Sequence, residues 1–246
     1  MTNTLILIPS RMAATRLPGK PLLKINDLSI ISHVLKKAEE TKIGKVIVAA
    51  EDQEILDDVK KNGGDGILTS RNHKTGTDRI YEAYKKLDLK NIDYVLNLQG
   101  DEPNIDKNDI INLNNLAVEN NFEVGTLAAK INNKQMLNNQ NVVKVETEKD
   151  LEKYKFSKAI DFSRNNISKQ NNNIYHHIGI YLYQVNALEK FVSLTQTKNE
   201  IQNKLEQFRA VDNDMKINVT LAKSSPIGVD TQEDYLAIKK IMEYKR

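Results

Sequence analysis

The first half of the chain alternates short apolar runs with amphipathic segments, and this alternation constrains the fold more than any other feature of the sequence. Residues 5–8, 46–50 and 94–98 are short, mostly apolar runs, as expected for strands that are buried on both faces of a sheet. Between these runs, apolar side chains recur at helical spacing, as Ile30 and Val34 do. The β-α-β-α order predicts an α/β fold with a doubly wound, mostly parallel sheet.

The regular alternation stops near residue 130, where a polar, Asn-rich stretch begins. Apolar spacing like that of the first half returns at 217–222 and in a C-terminal helical pattern. We therefore predict two parts: a core of residues 1–130 and 215–246, and a smaller α/β lobe of residues 131–214 that grows out of the core.

The composition of the 246-residue chain excludes several kinds of protein. There is no Cys, which rules out disulfides and thiolate metal sites, and the four His do not follow a zinc-binding spacing. A net charge of +3, from 36 basic and 33 acidic residues spread along the chain, argues against nucleic acid as a partner. The N-terminus lacks a signal-peptide pattern, and no apolar run approaches the roughly 20 residues of a membrane span. We therefore expect a cytoplasmic protein that does not associate with membranes.

A loop with three cations follows the first predicted strand. Arg11, Arg16 and Lys20 lie in a short segment that also contains Pro and Gly. Such a loop can surround a triphosphate, because fixed positive charge and backbone N–H groups offset its roughly four negative charges. The spacing matches neither a Walker A loop nor a Rossmann glycine fingerprint. A solvated basic surface loop is the alternative, although the position after a strand favours ligand binding.

Two acidic positions are candidates for metal binding. Asp101 follows the third predicted strand, and a carboxylate that faces a phosphate loop suits Mg²⁺, which prefers one or two protein carboxylates with phosphate oxygens and water. An ordinary turn is the alternative, because Gly100 and Pro103 favour turns for local reasons. Asp230, ahead of the last predicted helix, is a second metal candidate, or it caps that helix together with Glu233.

Residues 70–79 combine hydroxyl side chains with Gly76 at a predicted helix start. A residue without a side chain at this point lets a ribose or a base edge approach the backbone closely. The alternative is a purely structural segment in which Thr77 or Asp78 caps the helix.

The predicted second lobe carries a cation, an imidazole and a phenol on strand-like segments. These groups are Arg164, His177 and Tyr181. Together they could hold an acidic, hydroxyl-rich substrate. The alternative is that each is an ordinary surface residue or an internally satisfied one.

Seven motifs, in order along the chain, resemble those of the CMP-Kdo synthetases, the sugar-nucleotide cytidylyltransferases that activate the acidic sugar Kdo with CTP. The motifs are IPSRMAATRLPGKPL at 8–22, TGTDR at 75–79, NLQGDEP at 97–103, FSR at 162–164, HIGIY at 177–181, EQFR at 206–209 and GVDT at 228–231. Each motif alone is modest, but the set covers nearly the whole chain in the order that the family has.

The resemblance implies a nucleotidyltransferase with a Rossmann-like fold. Such an enzyme transfers CMP from CTP to the anomeric hydroxyl of Kdo (3-deoxy-D-manno-octulosonate) and releases pyrophosphate, for lipopolysaccharide biosynthesis. The resemblance also implies that Asp101 and Asp230 bind Mg²⁺, that these two residues act in catalysis with Arg16 and Lys20, and that the protein is a homodimer formed through the second lobe. The implied nucleotide-binding residues are Pro9, Arg11, Thr15, Arg16, Lys20, Ser70, Gly76, Thr77, Arg79, Gln99 and Gly100, and the implied sugar-binding residues are Gln99, Arg164, His177, Tyr181, Glu206 and Gln207.

The chain departs from the family pattern at two places, and two further functions stay open. Ala14 stands where the family has Ser, and residues 165–171 lack the family's Pro and second Arg. Lys169 lies in that stretch, but its ammonium is a point charge and cannot form the bidentate contact of an Arg.

The open alternatives are a cytidylyltransferase for another acidic sugar, of the sialic-acid type, and a catalytically inactive nucleotide-binding regulatory module. Intact Lys20, Asp101 and Asp230 favour an active enzyme.

Overall fold

The computed structural model describes residues 3–13, 16–165 and 173–244. A short 3₁₀ turn spans Lys20–Leu22. The other elements, in chain order, are β1 (Thr4–Ser10), β2 (Lys24–Ile25), β3 (Leu28–Ser29), α1 (Ile30–Glu39), β4 (Gly44–Ala50), α2 (Gln53–Lys61), β5 (Gly66–Leu68), α3 (Gly76–Leu87), β6 (Tyr94–Asn97), α4 (Lys107–Asn120), β7 (Val124–Ala129), α5 (Lys134–Asn138), β8 (Lys144–Thr147), β9 (Phe156–Ser163), β10 (Ile174–Gln184), α6 (Val185–Ser193), α7 (Lys198–Asn203), α8 (Phe208–Val211), β11 (Ile217–Leu221) and α9 (Gln232–Glu243). The chain divides into two compact units, residues 1–108 with 226–246 and residues 109–225.

Four parallel strands form the sheet of the first unit, in the order β5-β4-β1-β6. Residues 5–8 of β1 are fully buried, because an interior strand of a parallel sheet is covered on both faces. Burial of each such apolar side chain contributes about 1.5–3 kcal/mol relative to exposure. Gly44 on β4 has no room for a side chain, since a Cβ there would lie 1.7 Å from the carbonyl oxygen of Thr4 on β1. The prediction of an α/β fold is confirmed, and β1 and β6 end side by side.

A hydrophobic cluster in the first unit anchors two of the segments that carry candidate site residues. It consists of Leu17, Ile25, Ile30, Val229 and Ile238, all buried. Leu17 belongs to the basic loop after β1, Val229 directly precedes Asp230, and Ile238 is the buried residue of α9. The cluster therefore holds the basic loop and the segment before α9 against one core.

Five strands form the second unit, in the order β10-β7-β11-β9-β8. β8 also pairs with β10, so the hydrogen-bonded ladder closes on itself. The β7–β11 pair is parallel and the other pairs are antiparallel, so the mostly parallel arrangement holds for the first unit only. Two residues of β10, Gly179 and Ile180, interrupt the register with β7 and bring His177 and Tyr181 to the same buried cluster.

The compact units divide the chain at other positions than the sequence pattern indicates. The predicted lobe of residues 131–214 falls inside the second unit, which also contains β7, because β7 pairs with β10 on one side and with β11 on the other. Within the described ranges, no helix is long and apolar enough to cross a membrane.

Candidate active site

A cavity in the first unit opens where β1 and β6 end. Parallel sheets bind ligands at this edge, because the loops that follow neighbouring strands converge there. The lining residues are Pro9, Ser10, Arg11, Ala13, Arg16, Lys20, Pro21, His73, Lys74, Thr75, Gly76, Arg79, Gln99, Gly100, Asp101 and Asp230. The cavity thus brings together most of the residues that the sequence predicts for nucleotide and metal. Of the others, Thr15 lies outside the described residues, and Ser70 and Thr77 are described but lie outside this lining.

The basic loop after β1 is folded back on itself by backbone contacts. Gly19 adopts φ 70°, a left-handed conformation that glycine reaches without strain, and its N–H donates to the carbonyl of Met12 at 3.3 Å. The N–H of Met12 donates in turn to the Asp52 carboxylate at 2.8 Å. These contacts hold the backbone of the loop beside the cavity, where its cations Arg11, Arg16 and Lys20 contribute to the lining.

Lys20 lies between the two candidate metal carboxylates. Its Nζ is 2.6 Å from Oδ2 of Asp101 and 3.2 Å from Oδ1 of Asp230, and Arg16 contacts the other oxygen of Asp230 at 2.9 Å. Burial lowers the pKa of Lys20, but the charges and hydrogen bonds of Asp101 and Asp230 outweigh it and raise that pKa above the usual value. A charged ammonium and two carboxylates are therefore held within reach of one ligand.

Asp230 is placed by the backbone and is not the cap of α9. The N–H of Val229 donates to the carbonyl of Asp101 at 2.9 Å, which ties the two candidate metal residues together. The helix is capped by Thr231 and Asp234, which form a reciprocal capping box. The alternative that pairs Asp230 with Glu233 as a cap is therefore wrong, because the helix begins one residue later than that pattern assumes.

Glu102 directly follows Asp101 in the chain but does not belong to the cavity lining. Its side chain is buried, and its Oε2 atom has no hydrogen-bond partner among the described residues. Burial, followed by the charges of Asp101 and Asp230, raises the pKa of Glu102 to about 8. The signal in the sequence was its position next to Asp101, but nothing in the residue pattern shows that this carboxyl group is buried.

Two glycines let the backbone pass close to β1 at the cavity. A Cβ on Gly100 would lie 2.8 Å from the carbonyl oxygen of Pro9 and 3.0 Å from Cδ1 of Ile31, so this position requires glycine. A Cβ on Gly76 would lie 3.4 Å from the ring of Pro9. Gly76 and Gly100 therefore pack closely against Pro9 of β1, and all three residues line the cavity.

The start of α3 is capped by Thr75, whose hydroxyl accepts from the N–H of Asp78. The alternative that makes Thr77 or Asp78 the cap is therefore wrong. Thr77 is buried and accepts a hydrogen bond from the side chain of Asn97 on β6 at 3.1 Å, so it connects α3 to the sheet.

Arg79 lines the cavity with its charge already partnered. Its guanidinium contacts the carboxylate of Glu51, and it donates to the hydroxyl of Thr69 at 2.6 Å and to the carbonyl of Ser70 at 3.1 Å. The arginine and Glu51 are both largely buried. Removal of either partner of such a buried ion pair would strongly destabilise the fold, because it would leave an uncompensated buried charge.

In the second unit, two of the candidate sugar-binding residues, His177 and Tyr181, belong to a buried aromatic cluster. The ring of His177 is 5.0 Å from that of Phe162 and 5.5 Å from that of Tyr181, measured between centroids. Its Nε2 is 3.1 Å from the hydroxyl of Thr126. Burial, with a smaller effect of His176, lowers the pKa of His177 to about 3, so the imidazole is neutral at physiological pH.

The hydroxyl of Tyr181 and the side-chain amide nitrogen of Gln207, both in the second unit, are buried and have no hydrogen-bond partner among the described residues. Burial, then the neighbouring Tyr183 and Glu206, raises the pKa of Tyr181 well above its usual value. A buried donor without a partner destabilises the fold by roughly 1–3 kcal/mol. A hydroxyl-rich ligand that forms hydrogen bonds with both groups would recover this free energy as binding affinity.

Arg164 lies at the end of β9, where a buried lysine fixes its backbone. Nζ of Lys144 donates to the carbonyls of Arg164 and Asn139, at 2.9 and 2.7 Å. The guanidinium itself reaches backbone carbonyls of Asn203 and Gln140 only at 3.3 and 3.4 Å. Both distances are near the long limit of a hydrogen bond, so a carboxylate would be a stronger partner.

Known proteins match the chain over nearly its whole length. The family model described as cytidylyltransferase matches residues 5–217. A 3-deoxy-manno-octulosonate cytidylyltransferase of Afipia carboxidovorans is 42% identical over 98% of this chain and 97% of its own length. One of Rhodopseudomonas palustris is 41% identical, with 99% of each chain covered.

Solved structures agree with these relatives. A CMP:2-keto-3-deoxy-manno-octonic acid synthetase complexed with CTP superimposes with a TM-score of 0.89 at 30% identity, over all of both chains. A UDP-glucose pyrophosphorylase, at 14% identity and a TM-score of 0.74, shares the fold. The chain belongs to the cytidylyltransferase family of nucleotidyltransferases, among the 3-deoxy-manno-octulosonate cytidylyltransferases.

Proposed function

We propose that this protein transfers CMP from CTP to the anomeric hydroxyl of Kdo, in the service of lipopolysaccharide biosynthesis. A bond forms between the anomeric oxygen and the α-phosphorus, the bond from that phosphorus to the β-phosphate oxygen breaks, and the hydroxyl proton is lost. The products are CMP-Kdo and pyrophosphate. The observation that carries the proposal is Lys20, held between Asp101 and Asp230 at the carboxyl edge of the sheet, in a chain 42% identical to such an enzyme.

The basic loop supplies the charge that the triphosphate needs. Arg11, Arg16 and Lys20 all line the cavity. Phosphoryl transfer requires little covalent chemistry from the protein, so positioning of the substrates and neutralisation of charge provide most of the rate enhancement. Lys20, anchored from two sides, is preorganised to meet the charge that develops on the leaving pyrophosphate.

The carboxylates fit a magnesium ion that arrives with the nucleotide. Asp101 and Asp230 share one cation in the structure, namely the Lys20 ammonium, so both point to the same place. Among the described residues there is no group of three or more metal-ligating side chains. Mg²⁺ needs only one or two protein carboxylates when phosphate oxygens and water complete its shell. A bound Mg²⁺ would neutralise charge on the phosphate oxygens.

The second unit supplies groups for the sugar. Arg164 is suited to the Kdo carboxylate, because its present hydrogen bonds are long. The neutral His177 and the hydroxyl of Tyr181 are suited to sugar hydroxyls, as are Glu206 and the amide of Gln207. Gln99 lines the cavity of the first unit and is a further polar residue proposed to bind the sugar.

Substrate competition tests this proposal. Pyrophosphate release is measured with Mg²⁺ and each of CTP, UTP, ATP and GTP, in the presence of Kdo or of a sialic acid. We expect release with CTP and Kdo to be much faster than with any other pair. Faster release with sialic acid would instead support a related cytidylyltransferase for that sugar, and no release with any sugar would support the inactive regulatory module.

A further inference from the structure

Two charged residues on α3, one helical turn apart, hold the same neighbouring segment. Arg79 and Glu82 are separated by three positions, so they lie on one face of the helix. The segment they contact comprises residues 69–75, between β5 and α3, and is called the 69–75 segment below. Its last residues, His73, Lys74 and Thr75, line the cavity.

Arg79 fixes the beginning of the 69–75 segment. It donates to the side chain of Thr69 at 2.6 Å and to the backbone carbonyl of Ser70 at 3.1 Å, while Glu51 neutralises its charge. Two of these three contacts are with the 69–75 segment itself, so Arg79 holds the start of that segment in position. Its hydrogen bonds are those of a residue that fixes the conformation of a neighbouring segment.

Glu82 fixes the middle of the segment. Its carboxylate accepts from the N–H of Ser70 at 2.9 Å and contacts Nε2 of His73. Lys86, on the solvent side, contacts the other carboxylate oxygen at 2.6 Å. These hydrogen bonds, from Lys86, His73 and Ser70, outweigh the effect of burial and lower the pKa of Glu82 to about 2, so the carboxylate is charged at any physiological pH.

The topology separates this segment from the metal candidates. The segment leaves β5, whereas Asp101 follows β6, and the order β5-β4-β1-β6 puts these strands three positions apart. Strands lie about 4.8 Å apart, so the segment leaves its strand roughly 14 Å from β6. It then returns to β1, where Gly76 lies against Pro9. With the triphosphate at Lys20, the nucleoside would lie against residues 73–76, which line the same cavity.

We propose that Glu82 and Arg79 are positioning residues for the nucleoside: they hold the 69–75 segment in the conformation that selects cytidine, without touching the triphosphate. This inference rests on the proposed function. It assigns a role to Glu82 that no motif of the sequence indicates, and it gives Arg79, one of the implied nucleotide-binding residues, a positioning role.

Calorimetric binding of CTP and of pyrophosphate, each with Mg²⁺, tests the inference. Glu82→Ala should weaken CTP binding about tenfold, the scale of one net charge-assisted hydrogen bond. Pyrophosphate binding should be unchanged, and the preference for CTP over UTP should fall. Glu82→Gln, whose amide oxygen can still accept from Ser70, should recover part of the loss. Lys86→Met is the matched control, because Lys86 contacts Glu82 and the backbone carbonyl of Leu68 but no residue of the 69–75 segment, and it should leave both ligands unaffected.

Arg79→Lys provides a second variant. It keeps a positive charge for Glu51, but a lysine cannot reach Thr69 and Ser70 together, so it should also weaken CTP selectively. Equal weakening of CTP and pyrophosphate in the Arg79 or Glu82 variants, or normal CTP binding in Glu82→Ala, would overturn the inference. Thermal melting of each variant confirms that it is folded. A wild-type protein that binds neither ligand would refute the proposed function and the inference with it.

Discussion

At the scale of single residues, the cap of α9 is Thr231 and not Asp230, so a substitution of Asp230 tests its metal-binding role without removing the helix cap. Asp230→Asn should leave the melting temperature nearly unchanged, because Thr231 and Asp234 cap the helix and ion pairs of a half-exposed carboxylate contribute little. It should lower activity sharply, with partial rescue at raised Mg²⁺, because a neutral amide is a weaker magnesium ligand. The measurements are thermal unfolding and pyrophosphate release as Mg²⁺ is varied.

The neighbouring residue supplies the matched control. Thr231→Ala should cost about 1 kcal/mol of stability, the usual effect of losing an N-cap, while activity is retained. Full activity of Asp230→Asn at low Mg²⁺ would remove Asp230 from the proposed metal site.

Lys20 carries the second prediction at this scale. Lys20→Ala should lower kcat about 10²-fold or more, the scale for one preorganised electrostatic contact with the transition state. Lys24→Ala is the control, since Lys24 is an exposed lysine four residues along the chain that does not line the cavity. Normal turnover of Lys20→Ala would show that its contacts with Asp101 and Asp230 are only structural.

At the scale of elements, β10 carries a buried histidine whose pKa makes stability depend on pH. The folded-state pKa of His177, about 3, lies below the value near 6.5 expected in the unfolded chain. The unfolded chain therefore binds an extra proton between these values. The stability associated with a neutral His177 is fully present above about pH 6.5 and is lost as the pH falls towards the folded-state pKa.

Chemical denaturation between pH 6.5 and 5 measures this effect. Wild-type stability should fall more steeply than that of His177→Gln, by up to about 1.4 kcal/mol per pH unit. Glu102, whose raised pKa favours the fold at low pH, acts in the opposite direction, but it is present in both proteins and cancels in the comparison. Parallel pH profiles for the two proteins would mean that His177 is not held neutral.

At the scale of the whole molecule, the sequence predicts the fold class and the residues that follow buried strands. Arg11 and Lys20 come after β1 and Asp101 after β6, and neighbouring parallel strands bring such positions together. Asp230 also reaches the cavity, through a backbone hydrogen bond between Val229 and Asp101. Contacts of this kind join distant parts of the chain and leave no local pattern.

Other features of the site depend on burial or on the exact ends of helices. The helix caps Thr75 and Thr231 differ from the predicted ones by one to three positions, because propensity does not fix where a helix begins. Likewise, Glu82 looks like an ordinary surface acid in the sequence, and the position of Glu102 next to Asp101 does not reveal its burial. Their roles arise only when the fold surrounds one with hydrogen-bond donors and buries the other.

The most direct test of the central claim is phosphorus NMR of a reaction that contains the purified protein, CTP, Mg²⁺ and Kdo. We expect CMP-Kdo, with a single phosphodiester phosphorus, and pyrophosphate to appear in equal amounts, and neither to form when Kdo is omitted. Formation of CMP with pyrophosphate whether or not the sugar is present, or CTP that stays intact when Kdo is added, would contradict the claim.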